Sequence, residues 1–279
     1  MRIIPAAQIT DAVARLCVTA NHTLPDSVFA ALSTAAEHES DERARGILRT
    51  LTENAELARR ERVPICQDTG IACVFIDLGR DAHIDGDLYD AINRGVATGY
   101  RDGYLRASVV RDPLRRDNTG DNTPANVYLT LVDGDRATIT VAPKGFGSEN
   151  MSRIKMLKPS DGAAGVVDFV AETVKLAGGR PCPPIILGIG IGGTFDTVAL
   201  LAKRALLRDI GAPHPDPYYA ELEREILSRV NALGIGAQGF GGDTTALGAA
   251  IETAPTHIAG LPAAVNVSCH VTRHATEVI

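Results

Sequence analysis

The sequence predicts a single mixed α/β domain, its sheets surrounded by helices and its N-terminal section helical. Three observations predict it. Apolar residues recur at helical spacing through most of the first sixty positions. From Ala72 onward, short apolar runs of strand length alternate with further helical patterns. No long linker, low-complexity tract or internal repeat divides the chain. With 279 residues, roughly three quarters of the unfolded surface can be hidden, so one large core is within reach.

In order, Pro25 breaks the first helical pattern and Asp26 stands as an N-cap before the apolar stretch that follows. Residues 41–60 continue as a helix, with Ile47, Leu48, Leu51, Ala55 and Leu57 on one face. Ala72–Leu78 then reads as a strand and Gly86–Thr98 as a helix. Val127–Val132 and Ala137–Val141 alternate apolar residues with Thr around Asp133-Gly134-Asp135-Arg136. That predicts a hairpin, because Asp-Gly supplies the positive φ of a tight turn. Gly165–Leu176 is expected to be helical, Ile185–Gly188 a short buried strand, and Thr194–Leu207 the helix beyond a glycine run. Tyr219–Leu233 is an amphipathic helix, and late strands fall near Leu247–Ile251 and Ala263–Val267.

Composition narrows the function. The 28 Lys and Arg against 34 Asp and Glu make the chain acidic, which argues against a nucleic-acid or anionic-membrane surface. Pro5, Gln8 and Asp11 precede any long apolar run, so no signal peptide is expected. The longest apolar stretches are too short and too glycine-broken to span a bilayer. A soluble, cytoplasmic protein is the expectation. Tryptophan is absent and glycine numbers 27, so Ala, Val, Ile and Leu must build the core.

Four segments gather glycine or proline with polar residues where loops are expected: 64–70, 145–150, 181–193 and 234–242. Each reads most simply as a set of tight turns, although glycine also lets backbone N–H groups approach a ligand. Gly188, Gly190 and Gly193 fit a dinucleotide fingerprint, but the second strand and its acidic residue are missing. Pro213, Pro215 and Pro217 occupy that region instead, so a nucleotide site is not expected. Five widely spaced cysteines make a poor disulfide framework. Cys17 falls in a helical pattern and Cys73 in a strand, as small buried hydrophobes do. Cys66, Cys182 and Cys269 fall in or beside loops; spacing alone favours structural thiols over a cluster site.

The motifs carry a resemblance. Cys-Gln-Asp-Thr-Gly at 66–70, Asp-Asn-Thr-Pro-Ala at 121–125 and Gly-Ser-Glu-Asn-Met-Ser at 147–152 appear in that order. Lys-Met-Leu-Lys-Pro-Ser-Asp-Gly at 155–162, Cys-Pro-Pro through Gly-Ile-Gly-Ile-Gly-Gly at 182–193 and Leu-Gly-Ile-Gly-Ala-Gln at 233–238 follow. Over nearly its whole length, 1–279, the chain resembles the α subunit, or N-terminal domain, of the class I iron–sulfur hydro-lyases. These are the class I fumarases and the L(+)-tartrate dehydratases. The resemblance implies a [4Fe–4S] cluster held by Cys66, Cys182 and Cys269. One iron is then left open as a Lewis acid for the substrate hydroxyl and a carboxylate, with no redox change.

By the same resemblance, Asp68 is the acid/base carboxylate and His257 its partner, while Gln67 donates a hydrogen bond to substrate. Arg106 clamps a substrate carboxylate, which suits a planar bidentate donor. Gly147 brings backbone N–H groups close to substrate or cluster. Read alone, His257 is a structural histidine and Arg106 a member of a surface ion pair. The family's base for the carbon-bound proton lies on a second, smaller domain, and only ten residues follow Cys269. A separate β subunit is therefore expected in an α2β2 assembly with an α–α contact and its active site at the α/β interface. The implied reaction is fumarate to (S)-malate, a step of the tricarboxylic acid cycle. L(+)-tartrate, mesaconate or another small dicarboxylate, or a cluster-less binding subunit, is the alternative.

Overall fold

The computed structural model describes residues 1–279. Its elements in order are β1 (Arg2–Pro5), α1 (Ala6–His22), α2 (Asp26–His38), α3 (Glu42–Glu61), β2 (Ile71–Gly79), β3 (Ala82–Asp85) and α4 (Leu88–Asp102). Then come β4 (Asn126–Val132), β5 (Ala137–Lys144), α5 (Phe146–Glu149), β6 (Arg153–Leu157), α6 (Gly162–Ala177), β7 (Ile185–Gly193) and α7 (Phe195–Ala205). The last are α8 (Pro217–Asn231), β8 (Ala246–Thr256), β9 (Leu261–Ser268) and β10 (Ala275–Val278). This is the mixed α/β class with a helical N-terminal section. The chain forms two compact units: Met1–Pro25, Asn54–Phe146 and Arg273–Ile279 make the first, and Asp26–Glu53 with Gly147–Thr272 the second. They interleave along the sequence, so no single cut separates them.

The first unit is built on a sheet of order β10-β5-β2-β4. Alternation along β2 and β5 puts Ala72, Val74, Ile76, Ile139 and Val141 on one face, where they pack with Ile9, Val13, Leu16 and Cys17 of α1 and Ile92, Val96 and Tyr100 of α4. The N-terminus is not helical throughout: Arg2–Pro5 pairs in parallel with β3 before α1 begins. The expected hairpin also needs correction. β4 and β5 are joined by the Asp133–Arg136 turn, yet both pair with β2, β4 in parallel and β5 antiparallel. The turn straddles the end of β2: Gly79 N–H donates to Arg136 O at 2.8 Å, and the next residue, Arg80, donates its N–H to Val132 O at the end of β4 at 2.9 Å. Asp-Gly specified the turn; it did not specify which strand lay between its arms.

The second unit repeats this plan with a sheet of order β6-β9-β7-β8, in which β7 is central, β8 parallel to it and β9 antiparallel. β7 runs through the glycine cluster that reads as a loop in the sequence, and it is buried almost to its end. Ile185, Leu187, Ile189 and Ile191 face α6 and α8, meeting Phe169, Val170, Leu222 and Ile226. Each such side chain contributes about 1.5–3 kcal/mol through burial. The opposite face carries Gly188 and Gly190, and α7 lies on it so closely that an added Cβ would stand 2.0 Å from Ala202 O and 2.2 Å from Val198 O. These glycines therefore serve helix packing inside a strand, not a phosphate-binding turn. A smaller cluster of Leu32, Ala36, Ala44, Leu48 and Ala237 gathers α2 and the start of α3.

Replacing Gly190 with Ala forces α7 away from the strand. The expected loss is about 1–3 kcal/mol of unfolding free energy, read as a lower urea midpoint at unchanged slope. An unchanged midpoint would contradict the packing of α7 on β7.

Candidate active site

The first unit holds Cys66, Gln67, Asp68 and Arg106. The loop from Ile65 to Gly70 enters β2 and is anchored almost wholly through its backbone. Ile65 N–H donates to Asn21 O at 3.0 Å, and Asn54 Nδ2 donates to Ile65 O at 3.0 Å. Arg273 Nη2 donates to Asp68 O at 2.6 Å, and the Thr69 hydroxyl to Arg106 O at 2.9 Å. Below them the buried Tyr100 hydroxyl lies 2.7 Å from Thr69 O and 3.0 Å from Gly70 O, and Asn122 Nδ2 donates to Gly70 O at 3.1 Å. Five of the loop's backbone groups are thus satisfied by side chains or by α1, as buried polar groups must be.

Asp68 is oriented from both sides. Its Oδ1 accepts from Gly70 N–H at 3.0 Å and its Oδ2 from Phe146 N–H, the first residue of α5, at 2.9 Å. A Cβ on Gly145 would come within 3.0 Å of Oδ2, which accounts for glycine there. Each carboxylate oxygen keeps a second lone pair for a proton or a donor. Cys66 and Asp68 are half-buried, and Gln67 and Arg106 are exposed. Reagents can therefore reach all four.

In the second unit, strand register brings Cys182 and Cys269 together. β7 and β9 are antiparallel with Ile186 opposite Ser268, so the residue after β9 and the loop before β7 share one end of the sheet. The loops also touch: His270 Nδ1 donates to Cys182 O at 3.0 Å. Cys182 is exposed and Cys269 half-buried. Cys17 and Cys73 are buried in α1 and β2, and burial pushes the Cys17 thiol up to about 12.

His257 is not brought to this end. It follows Thr256, which pairs with Gly193 at the other end of β7. The strand's nine residues separate it from the cysteines by roughly 25 Å within the unit. There it shapes the turn between β8 and β9, its Nδ1 accepting from Ala259 N–H at 3.2 Å. The histidine at the cysteine end is His270. Gly147 follows Phe146 in α5 and is exposed. Arg273, Tyr100 and Asn122, which hold the Cys66 loop, and Gln238, beside Cys182, are further residues of the site without a local signal in the sequence. Of these, Asn122 lies in the 121–125 motif and Gln238 in the 233–238 motif.

Within the second unit, Cys182 and Cys269 stand at one sheet end as thiol donors of the kind that iron–sulfur clusters take. No three His, Cys, Asp or Glu side chains converge on a point one metal ion could fill. Accessible thiols on ordered loops are the ligands that clusters use.

The sequence model of the family described as fumarate hydratase (Fumerase) matches residues 10–278. A Methanocaldococcus jannaschii protein provisionally named L(+)-tartrate dehydratase subunit alpha is 43% identical over 277 residues, 97% of each chain. The L(+)-tartrate dehydratase subunit alpha of Escherichia coli K12 is 33% identical over 276 residues, 98% of this chain and 91% of that one.

The buried Cys17 gives the protein an alkaline limit. Below pH 9.0 the thiol is protonated in folded and unfolded chains, and its contribution is whole. As pH rises toward about 12 only the unfolded thiol ionises, so stability drains away. Burial raises the Tyr100 phenol as well, adding a loss of the same sign. Above pH 9.0 the urea midpoint should fall more steeply for the wild type than for Cys17→Ala. Parallel curves would contradict a protonated buried thiol.

Proposed function

We propose that this chain, which belongs to the fumarate hydratase (Fumerase) family, is the α subunit of a [4Fe–4S]-dependent hydro-lyase that reversibly hydrates fumarate to (S)-malate. The general kind of activity, a hydro-lyase acting as a subunit, follows from the family and from its relatives. Residues 1–279 act as one catalytic domain, completed by a smaller β subunit in an α2β2 assembly with an α–α contact. The observation that carries the cluster is the β7–β9 register, which sets Cys182 and Cys269 at one sheet end. Cys66 is the third ligand, at the equivalent entry to β2.

When bound, the cluster supplies Lewis acidity from the iron that three cysteines leave without a protein ligand. The other roles belong to this chain's side chains. Asp68, fixed by two backbone N–H groups, carries a proton at the carboxylate lone pairs left over. Gln67 donates to the substrate, Arg106 pairs with one of its carboxylates, and Gly147 offers backbone N–H. His257 is kept as the partner of Asp68, and in its own unit it stands at the other end of β7 from Cys182 and Cys269. The names of the relatives favour a second reading, L(+)-tartrate as the substrate.

Anaerobic reconstitution should give a brown chain with about four irons. Cys66→Ser, Cys182→Ser and Cys269→Ser should each lose the colour, and Cys17→Ser and Cys73→Ser should keep it. Equal loss in all five would refute the ligand set, and a colourless wild type would refute the cluster. With the β subunit added, turnover of fumarate against L(+)-tartrate decides the substrate, and full turnover without it would refute the two-subunit site. Asp68→Asn should keep the iron and lower turnover by about 10²–10⁴-fold; unchanged turnover would make Asp68 structural.

A further inference from the structure

Two residues other than glycine take left-handed backbone at the same place in the second unit. They are Cys182, with φ +56°, and Gln238, with φ +53°. Such conformations are disfavoured for L-residues and persist only where their surroundings impose them. The surroundings here are one hydrogen-bonded group. Pro183 O accepts from Gln238 twice, from its backbone N–H at 2.7 Å and from Nε2 at 2.8 Å. Cys182 O accepts from His270 Nδ1 at 3.0 Å, which fixes the proton on Nδ1, since a carbonyl can only accept. Cys182 N–H donates to Gly179 O at 3.2 Å, and the Thr272 hydroxyl closes the turn after Cys269 by donating to Cys269 O at 2.8 Å. The Gln238 and His270 side chains meet, with Nε2 and Nδ1 3.5 Å apart.

From this geometry we infer that Gln238 and His270 are positioning residues for the iron–sulfur ligands, bracing the carbonyls of Cys182 and Pro183 so that the Cys182 thiol is held beside Cys269 before iron enters. The inference rests on the cluster assignment above. Each brace joins a segment far away in sequence to the Cys182 loop, 55 residues apart for Gln238 and 88 for His270. Both braces go to carbonyl oxygens of the peptide backbone. Outer partners of this kind change metal retention by about 10–100-fold when removed.

The test follows iron loss from the reconstituted full-length chain as decay of cluster absorbance under an iron chelator, beside thermal melting of the iron-free chain. His270→Ala should release iron about 10–100-fold faster than wild type. His270→Asn, whose side-chain amide can donate where Nδ1 does, should recover most of the retention. Gln238→Gly removes the side-chain brace but relaxes a left-handed position that glycine tolerates. Its melting temperature should therefore stay level or rise while iron leaves faster, a pairing that loss of a merely structural residue would not produce. Wild-type retention in both His270→Ala and Gln238→Gly would overturn the inference. So would faster loss matched only by a lower melting temperature, or a failure of His270→Asn to recover. A wild-type chain that takes up no iron would instead overturn the cluster assignment.

Discussion

Strand β7 can occupy its place in only one register, and the second unit's arrangement depends on that. One face presents Ile185, Leu187, Ile189 and Ile191 to the core beneath α6 and α8. The other presents glycines to the backbone of α7, with no room for a methyl group at Gly188 or Gly190. Side chains alternate with a period of two, so a slip by one residue would drive an isoleucine into α7 and leave glycine facing the core. Neighbouring strands inherit this register. With Ile186 opposite Ser268, Cys269 must leave β9 where the Cys182 loop enters β7. The same register carries His257 to the far end with Gly193.

The two sheets share more than a class. In each, a central strand is paired in parallel on one side and antiparallel on the other, and those two flanking strands are consecutive, joined by a turn beyond the central strand's end. A cysteine precedes each central strand: Cys66 before β2 and Cys182 before β7. The segment leaving each antiparallel strand then bonds back to that entry loop, as Phe146 N–H to Asp68 in the first unit and His270 to Cys182 in the second. Sequence comparison within the chain shows no repeat, because the side chains that fill the two plans differ. The repeat lies in the backbone.

That difference marks what the sequence made legible. Alternation and helical spacing predicted most helices and the buried strands, because burial writes its period into residue type. The short strands β1, β3, β6 and β10 escaped, since a four- or five-residue strand with one partner needs no strong pattern. The glycine run read as a loop because the glycine's reason, α7, lies elsewhere in the chain. At the site, the division of cysteines between loops and regular elements was readable locally. His257 was not: its distance from the cysteines follows from strand pairing, which no local pattern records. Arg273, Tyr100 and Asn122 were invisible for the same reason, as each acts on a peptide group far away in sequence.

Those hidden residues share a manner of working. Around Cys66 the anchors go to the carbonyls of Ile65, Asp68, Thr69 and Gly70 and to the Ile65 N–H. Around Cys182 they go to the carbonyls of Cys182 and Pro183. A loop held by its side chains would spend the groups that chemistry needs. Holding it by the peptide fixes where each side chain starts. Asp68 alone is held through its carboxylate, and there both donors are backbone N–H groups, one on each oxygen. They settle its orientation, while the nearby Arg273 guanidinium goes to the Asp68 carbonyl. The fold thus orders three cysteine loops and one carboxylate through hydrogen bonds to peptide groups.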